Sequence, residues 1–184
     1  CKNCYLVFNT GPDEETLYSR GLRNSMDSSD LYFGFAIDRC YESINIQESN
    51  GVTHGQNVVS CVDSHFLLNC SGLINCFGCV NLRNKSNCFL NEQLSKDEYN
   101  KRVSEIMGSS ERMAQFRKEF DEFALKFPRR ENNNLQSVDS TGDYLSECKN
   151  VKDSFEILKS EDCRYTFSSK LIKDSIGTIG YGTN

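Results

Sequence analysis

From Leu22 to Cys88 every third residue is drawn from a narrow set, and this period constrains the fold more than any other feature of the chain. Of the 23 positions in that series, 22 are Cys, Ser, Gly, Val, Ile or Leu, and only Lys85 departs. The residue just before each is Asn, Asp, Glu or Gly at 17 of the 23, including Asn69, Gly72, Asn75, Gly78, Asn81, Asn84 and Asn87. The third place of the triplet is mixed but often large, as at Tyr32, Phe35, Tyr41, Ile44, Ile74, Phe77 and Val80. The rule returns in the same phase from Gly142 through Leu145, Cys148, Val151 and Ser154 to Thr178, and all ten cysteines fall on it, Cys1 and Cys4 included.

A period of three is neither the 3.6 of an α-helix nor the 2 of a flat strand. Collagen shares it, but collagen needs Gly at every third place and abundant Pro, whereas this chain has two prolines. What remains is a chain that bends regularly, with one residue in three pointing inward and Asn, Asp and Gly absorbing the bends, because these tolerate the left-handed region. The expected fold is mainly β: a narrow parallel β-solenoid interrupted by an α-helical hairpin. The pattern is similar to that of the small insect antifreeze β-helices, whose twelve-residue coils would stack Ser28, Cys40, Val52, Ser64, Cys76 and Cys88 in one column. "CYES" at 40 and "CVDS" at 61 lie 21 apart and favour another length, so the coil is a multiple of three of unsettled size.

Between the two runs the signal turns helical. Ser95 with Glu98 forms a capping box, Tyr99, Val103, Ile106 and Met107 fall on one face, and Gly108 is a stop signal. A second helix follows Ser109 or Ser110, carrying Met113, Phe116, Phe120, Phe123 and Phe127 at spacings of three and four and ending before Pro128. The domain reading is therefore 1–94 solenoid repeats, 95–131 helical hairpin insertion and 132–184 solenoid continuation. The aromatic stripe is expected to pack on the flank or edge of the solenoid, covering an open stack against edge-to-edge pairing.

The net charge of −5 opposes a nucleic-acid backbone as partner. Residues 95–131 hold nine basic and eight acidic side chains, a net of +1, which leaves −6 for the rest. No run of about 18 apolar residues suggests a membrane span. A chain that opens on Cys rather than Met reads as a piece of a longer protein.

Cys76 with Cys79, joined by Cys70 or Cys88, has zinc-half-site spacing, as has Cys1 with Cys4. A triplet period makes CxxC wherever two neighbouring units both use Cys, however, and the same phase accepts Ser, Leu, Ile and Val. Inert core thiols are the leading reading, with disulfides or zinc as alternatives, so no metal, catalytic or cofactor residue is assigned. His54 and His65 are the histidines, and inward Cys61 and Cys70 are not expected to meet the outward His65. Asp27, Asp30, Glu42, Glu48 and Asp63 share the turn-forming phase and could form an acidic ladder, of solvated turns or of paired carboxylates acting on a polysaccharide. "GTIGYG", Gly177 to Gly182, lacks the strand-then-helix setting of a phosphate loop and reads as a terminal loop.

Three segments carry a resemblance: "CFGCVNLRNKSNCFLNEQLSKDEYNKRV" from Cys76, "EFALKFPRR" from Glu122 and "STGDYLSECKN" from Ser140. They resemble a cysteine-rich repeat family of hypothetical proteins common in Candidate Phyla Radiation bacteria, and "KNCYLVF" at Lys2 resembles the start of its repeat region. Members typically carry an upstream zinc-ribbon-like segment, absent from this sequence, so the zinc expectation falls on no residue present and Cys1 and Cys4 become repeat members. The family has no assigned activity. The expected function is a non-enzymatic structural or protein-interaction scaffold with a protein partner; a zinc-thiolate regulatory or nucleic-acid-associated protein and a carbohydrate-active β-helix are the alternatives. Unpaired thiols would place it in the cytoplasm.

Overall fold

The three-residue period has a backbone cause. In the computed structural model, which describes residues 1–180, the turn-phase residues adopt positive φ: 53° at Asn45, 56° at Asn57, 53° at Asn69, 52° at Asn75 and 58° at Asn81. An uninterrupted strand would alternate sides at each residue. A left-handed residue at every third place resets that alternation, so that one residue per triplet is buried. Asn and Asp adopt this region at little cost, but Phe33, Ala36, Phe66 and Leu90 do so as well. There, packing overrides local preference.

Half of the chain is strand and 15% is helix, with mostly parallel pairing in a sheet that does not close. The strands are β1 (Tyr5–Phe8), β2 (Leu17–Met26), β3 (Ser29–Asp38), β4 (Tyr41–Gln47), β5 (Asn50–Val59), β6 (Val62–Ser71), β7 (Ile74–Val80) and β8 (Ser86–Phe89). Each pairs in parallel with the next at a constant offset of twelve: Tyr5 with Leu17, Leu17 with Ser29, Ser29 with Tyr41, Tyr41 with Thr53, His65 with Phe77, and Phe77 with Phe89. Residues twelve apart thus form columns across the sheet. Of the 23 inward-phase positions from Leu22 to Cys88, 21 are buried; Leu82 is half-buried and Lys85, the one residue outside the permitted set, is exposed.

The inward phase mixes hydroxyls and thiols with aliphatics for a reason that the hydrogen bonds reveal. Ser28 Oγ donates to the Met26 carbonyl (2.7 Å) and accepts from the amide of Cys40, twelve residues on (3.0 Å). Ser43 and Gly55, Ser49 and Cys61, and Ser64 and Cys76 repeat the arrangement. A small hydroxyl pointing inward therefore satisfies a buried amide of the next rung, which would otherwise carry a desolvation cost. Bend columns are linked similarly, with Asn45 Nδ2 donating to Asn57 Oδ1 (2.9 Å) and Asn69 to Asn81 (2.7 Å).

The first of two compact units runs from Cys1 to Phe127. It includes β9 (Glu92–Gln93), antiparallel to β8, and the hairpin of α1 (Lys96–Met107) and α2 (Ser110–Ala124). Ser95 caps α1 as its sequence predicts, accepting from the Glu98 amide. The Glu98 carboxylate does not reach back; it pairs with Arg102 (2.8 Å). Gly108 lies in the right-handed region (φ −72°) rather than providing a left-handed stop, and Met107 is exposed. The aromatic stripe packs on the outer side of the last rungs, where Phe66, Phe77 and Val80 meet Tyr99, Phe116, Phe120 and Ala124 in a second apolar core.

The second unit, Pro128–Asn184, contains β10 (Gly142–Ser146), β11 (Ser154–Leu158) and β12 (Phe167–Lys170), paired in parallel at the same offset of twelve. Its first rung differs. Leu135 pairs with Ser146 and Val138 with Lys149, eleven apart, and Asn134, Ser137 and Ser140 bond to the amides of Leu145, Cys148 and Val151. The inward phase therefore shifts by one at this point. Gly142, expected to point inward, instead has φ +132°, and a Cβ there would lie 1.8 Å from the Ser154 carbonyl oxygen. Only glycine allows the shift. Of the terminal "GTIGYG", Tyr181 and Gly182 lie outside the described residues.

Candidate functional site

A concavity of about 640 Å³ lies on the first unit where two adjacent columns meet. One column is Glu14, Met26, Asp38 and Asn50, successive twelve-residue partners; the other is the bend column Pro12, Asn24, Ala36 and Glu48. Ser25, Ile37 and Ser49, from the inward phase between them, complete the lining. Met26, Ala36, Ile37 and Pro12 supply apolar surface, and Glu14, Asp38 and Glu48 supply three carboxylates, with no Lys or Arg in the lining.

The carboxylates are held in different ways. Glu14 is paired with Lys2, and Asp38 Oδ2 accepts from Asn50 Nδ2 (2.7 Å) and lies 3.4 Å from Arg39 Nε. Glu48 Oε2 accepts from the Ser60 hydroxyl (3.1 Å). Asp38 Oδ1 is buried without a hydrogen-bond partner among the described residues. Behind the lining, Asp13 is 4% exposed, and its Oδ1 accepts from both the amide and the hydroxyl of Ser25 (2.9 Å each).

The twelve-residue register separates the five turn-phase carboxylates singled out by sequence. Asp30 and Glu42 occupy one column in adjacent rungs; Asp27 and Asp63 share another, with Arg39 and Gly51 between them, and Glu48 lies in a third. No single acidic ladder forms. Glu42 instead meets the two groups that the sequence had not connected to it. Its Oε2 lies 2.7 Å from His54 Nε2, twelve residues on in the same column, and its Oε1 lies 3.1 Å from Arg117 Nη2 of α2. The signal was present as the spacing Glu42, His54, Phe66, legible once the pairing offset of twelve is known.

His65 faces outward, with Nδ1 2.9 Å from Thr53 Oγ1 and its ring edge-on to Phe77. The thiols of Cys61 and Cys70 turn to the backbone carbonyls of Val59 and Leu68, so neither supplies a nucleophile to His65. Eight of the ten thiols are buried, with Cys1 exposed and Cys4 half-buried. Burial pushes Cys70 and Cys88 up to about 11, and it also raises Cys40, Cys61 and Cys148. Hydrogen bonding between Cys76 and Cys79 drives Cys79 up, together with burial, and lowers Cys76 to about 7 against the upward pull of burial. Among the described residues no group of three or more His, Cys, Asp or Glu side chains is arranged to hold a metal ion, and no helix is long and apolar enough to cross a membrane.

No family model matches the chain, and no curated protein matches it in sequence. Among solved structures it is similar at a TM-score of 0.19 and 10% identity to one titled as an acetyltransferase from Desulfovibrio desulfuricans G20, over 94% of this chain. The chain spans 58% of that protein's length. A likeness of that size carries no argument about fold or function.

Proposed function

We propose that the chain is a β-solenoid serving as a non-enzymatic scaffold, and that the acidic groove between the Glu14 and Pro12 columns receives an extended basic segment of a partner protein. The solenoid reading is supported by the constant offset of twelve, the left-handed residue in each triplet and the inward hydroxyls that bond from rung to rung. Repeated rungs present side chains in regular rows, a surface suited to an extended partner.

The observation that carries the docking site is the groove's composition: apolar surface from Met26, Ala36 and Ile37 beside Glu14, Asp38 and Glu48, with Lys2 and Arg39, which pair with Glu14 and Asp38, lying outside the lining. Adjacent rungs are about 4.8 Å apart, so Glu14 and Asp38, two rungs apart, are separated by about three residues of extended peptide. A basic residue at every third place of a partner in the polyproline II conformation, which has three residues per turn and rises about 3.1 Å per residue, would meet both. The experiment is fluorescence anisotropy with a labelled Lys-Ala-Ala repeat peptide, comparing the native chain with Asp38→Asn and Glu48→Gln. Partly exposed charge pairs contribute about 0.2–1 kcal/mol each, so binding should weaken up to about fivefold per substitution and fall further with added salt. Binding that ignores both substitutions, or no binding at low salt, rejects the groove as the docking site.

A further inference from the structure

We propose that Glu42, His54 and Arg117 form an acid-released latch that holds the helical hairpin onto the β rungs of the first unit. The proposal is independent of what the acidic groove binds, since it concerns a different face and a different set of residues.

The cluster connects two elements far apart in sequence. Glu42 belongs to β4, His54 to β5 and Arg117 to α2, and the Glu42 carboxylate accepts from both, His54 Nε2 at 2.7 Å and Arg117 Nη2 at 3.1 Å. The His54 ring lies flat on Phe66, with centroids 4.4 Å apart and planes at 15°, and Tyr41 closes its other side edge-on. Phe66 in turn meets Phe116 and Phe120 of α2 at 5.2 and 5.8 Å. The path from Arg117 through Glu42, His54 and Phe66 therefore returns to the same helix. His54 Nδ1, the ring atom that does not face Glu42, is buried without a partner among the described residues.

That geometry suits a neutral imidazole. With Nε2–H donating to Glu42, Nδ1 is the unprotonated nitrogen and Arg117 is the cation on the carboxylate. A second proton would have to reside on the buried Nδ1, where no acceptor stands, and would place two cations on one carboxylate. The titratable and charged groups around the ring are Glu42 and Tyr41 on β4, His65 on β6 with Asp63 acting on it in turn, and Arg117 on α2. Burial lowers the His54 pKa most and Arg117 lowers it further, against the pull of Glu42. With the hairpin open, burial and Arg117 no longer depress the ring, while Glu42 stays beside it on the neighbouring strand, so its pKa rises to the ordinary value near 6.5 or above it.

The sign follows from linkage. The closed form binds this proton less readily than the open form, so the latch is at full strength above the open-form pKa and weakens as the pH falls through it. Between that value and the lower pKa of the closed form, the opening constant rises by up to about tenfold per pH unit, the limit for one proton taken up on opening. Opening would uncover the aromatic face of Phe66, Phe77 and Phe116.

The test is amide hydrogen exchange of α1 and α2 in the whole chain, corrected for intrinsic rates, from about pH 7.5 to about pH 5.5, a range that brackets the ordinary histidine value. The expected result is a steep loss of helix protection on acidification while the amides of β2 to β5 keep theirs. His54→Phe preserves the stack on Phe66 but cannot take up a proton, and its helix protection should be flat across the range. Arg117→Gln should open more at neutral pH. Native helices with pH-independent protection, or a His54→Phe chain that keeps the native slope, overturn the latch.

Discussion

At the residue scale, the inward Ser and Cys positions carry two tasks that look alike in sequence. A hydroxyl such as Ser28 bonds an amide of the next rung, whereas a thiol such as Cys40 sits over the carbonyls of Asp38 and Ser49 as a small apolar filler. The roles overlap at Cys61, whose sulfur accepts from the Leu73 amide at 3.4 Å. Ser28→Ala strands the buried Cys40 amide and should cost about 1–3 kcal/mol. Ser28→Cys keeps a weak acceptor and should cost less, a difference readable in urea unfolding followed by circular dichroism. Equal losses in the two variants would mean that the rung-to-rung bond contributes nothing. The same mixture explains why CxxC spacing here points to packing: the period places Cys76 and Cys79 in neighbouring triplets, and both thiols lie over backbone carbonyls of their own and the next rung.

At the element scale, the hairpin is where local signals were most readable. Ser95 and Ser109 cap the two helices, and Phe116 and Phe120 are buried as their spacing implies. The surface that receives them was not readable, because Phe66 and Phe77 belong to phases that elsewhere face solvent. They converge only after the rungs pair and α2 lies across them. Gly78 shows how close that approach is: a Cβ would come within 2.8 Å of Phe116 Cζ and 2.9 Å of Leu90 Cδ2, at φ +69°. Gly78→Ala should therefore destabilise the hairpin by about 1–3 kcal/mol through overpacking and backbone strain together. Gly177→Ala is the control, since φ is +68° there and nothing lies within 4 Å of its Cβ. If the two substitutions lower the melting temperature equally, close packing against Phe116 is not what requires glycine at 78.

At the scale of the whole molecule, the division into Cys1–Phe127 and Pro128–Asn184 has a thermodynamic consequence. Each unit has its own apolar core, built around Leu22, Ile46, Val52 and Leu67 in the first and Leu145, Val151 and Ile157 in the second. Rung-by-rung pairing makes stability a sum of neighbour terms within each unit. Calorimetry under reducing conditions should therefore resolve two unfolding transitions, the smaller one belonging to the second unit. Gly142→Ala should remove that transition and leave the larger one in place, because a Cβ at 142 collides with the Ser154 backbone. One transition that moves as a whole in the variant would show that the units unfold together.

The sequence by itself determined the period, and with it the buried phase, the left-handed bend before each buried residue and the place of the helices. Those follow from local chemistry: backbone preference for Asn, Asp and Gly at positive φ, and the size limit on an inward side chain. The tertiary structure decided the pairing offset. A period of three is compatible with any multiple of three, and only hydrogen bonds between rungs select twelve over twenty-one. That choice in turn determined which distant residues became neighbours, placing Glu42 on His54, separating the carboxylates that shared a phase, and joining Glu14, Asp38 and Glu48 around one groove. It also located the eleven-residue step before β10, where Gly142 gives up the inward position that its place in the triplet implies, because the approaching Ser154 backbone leaves no room for a side chain.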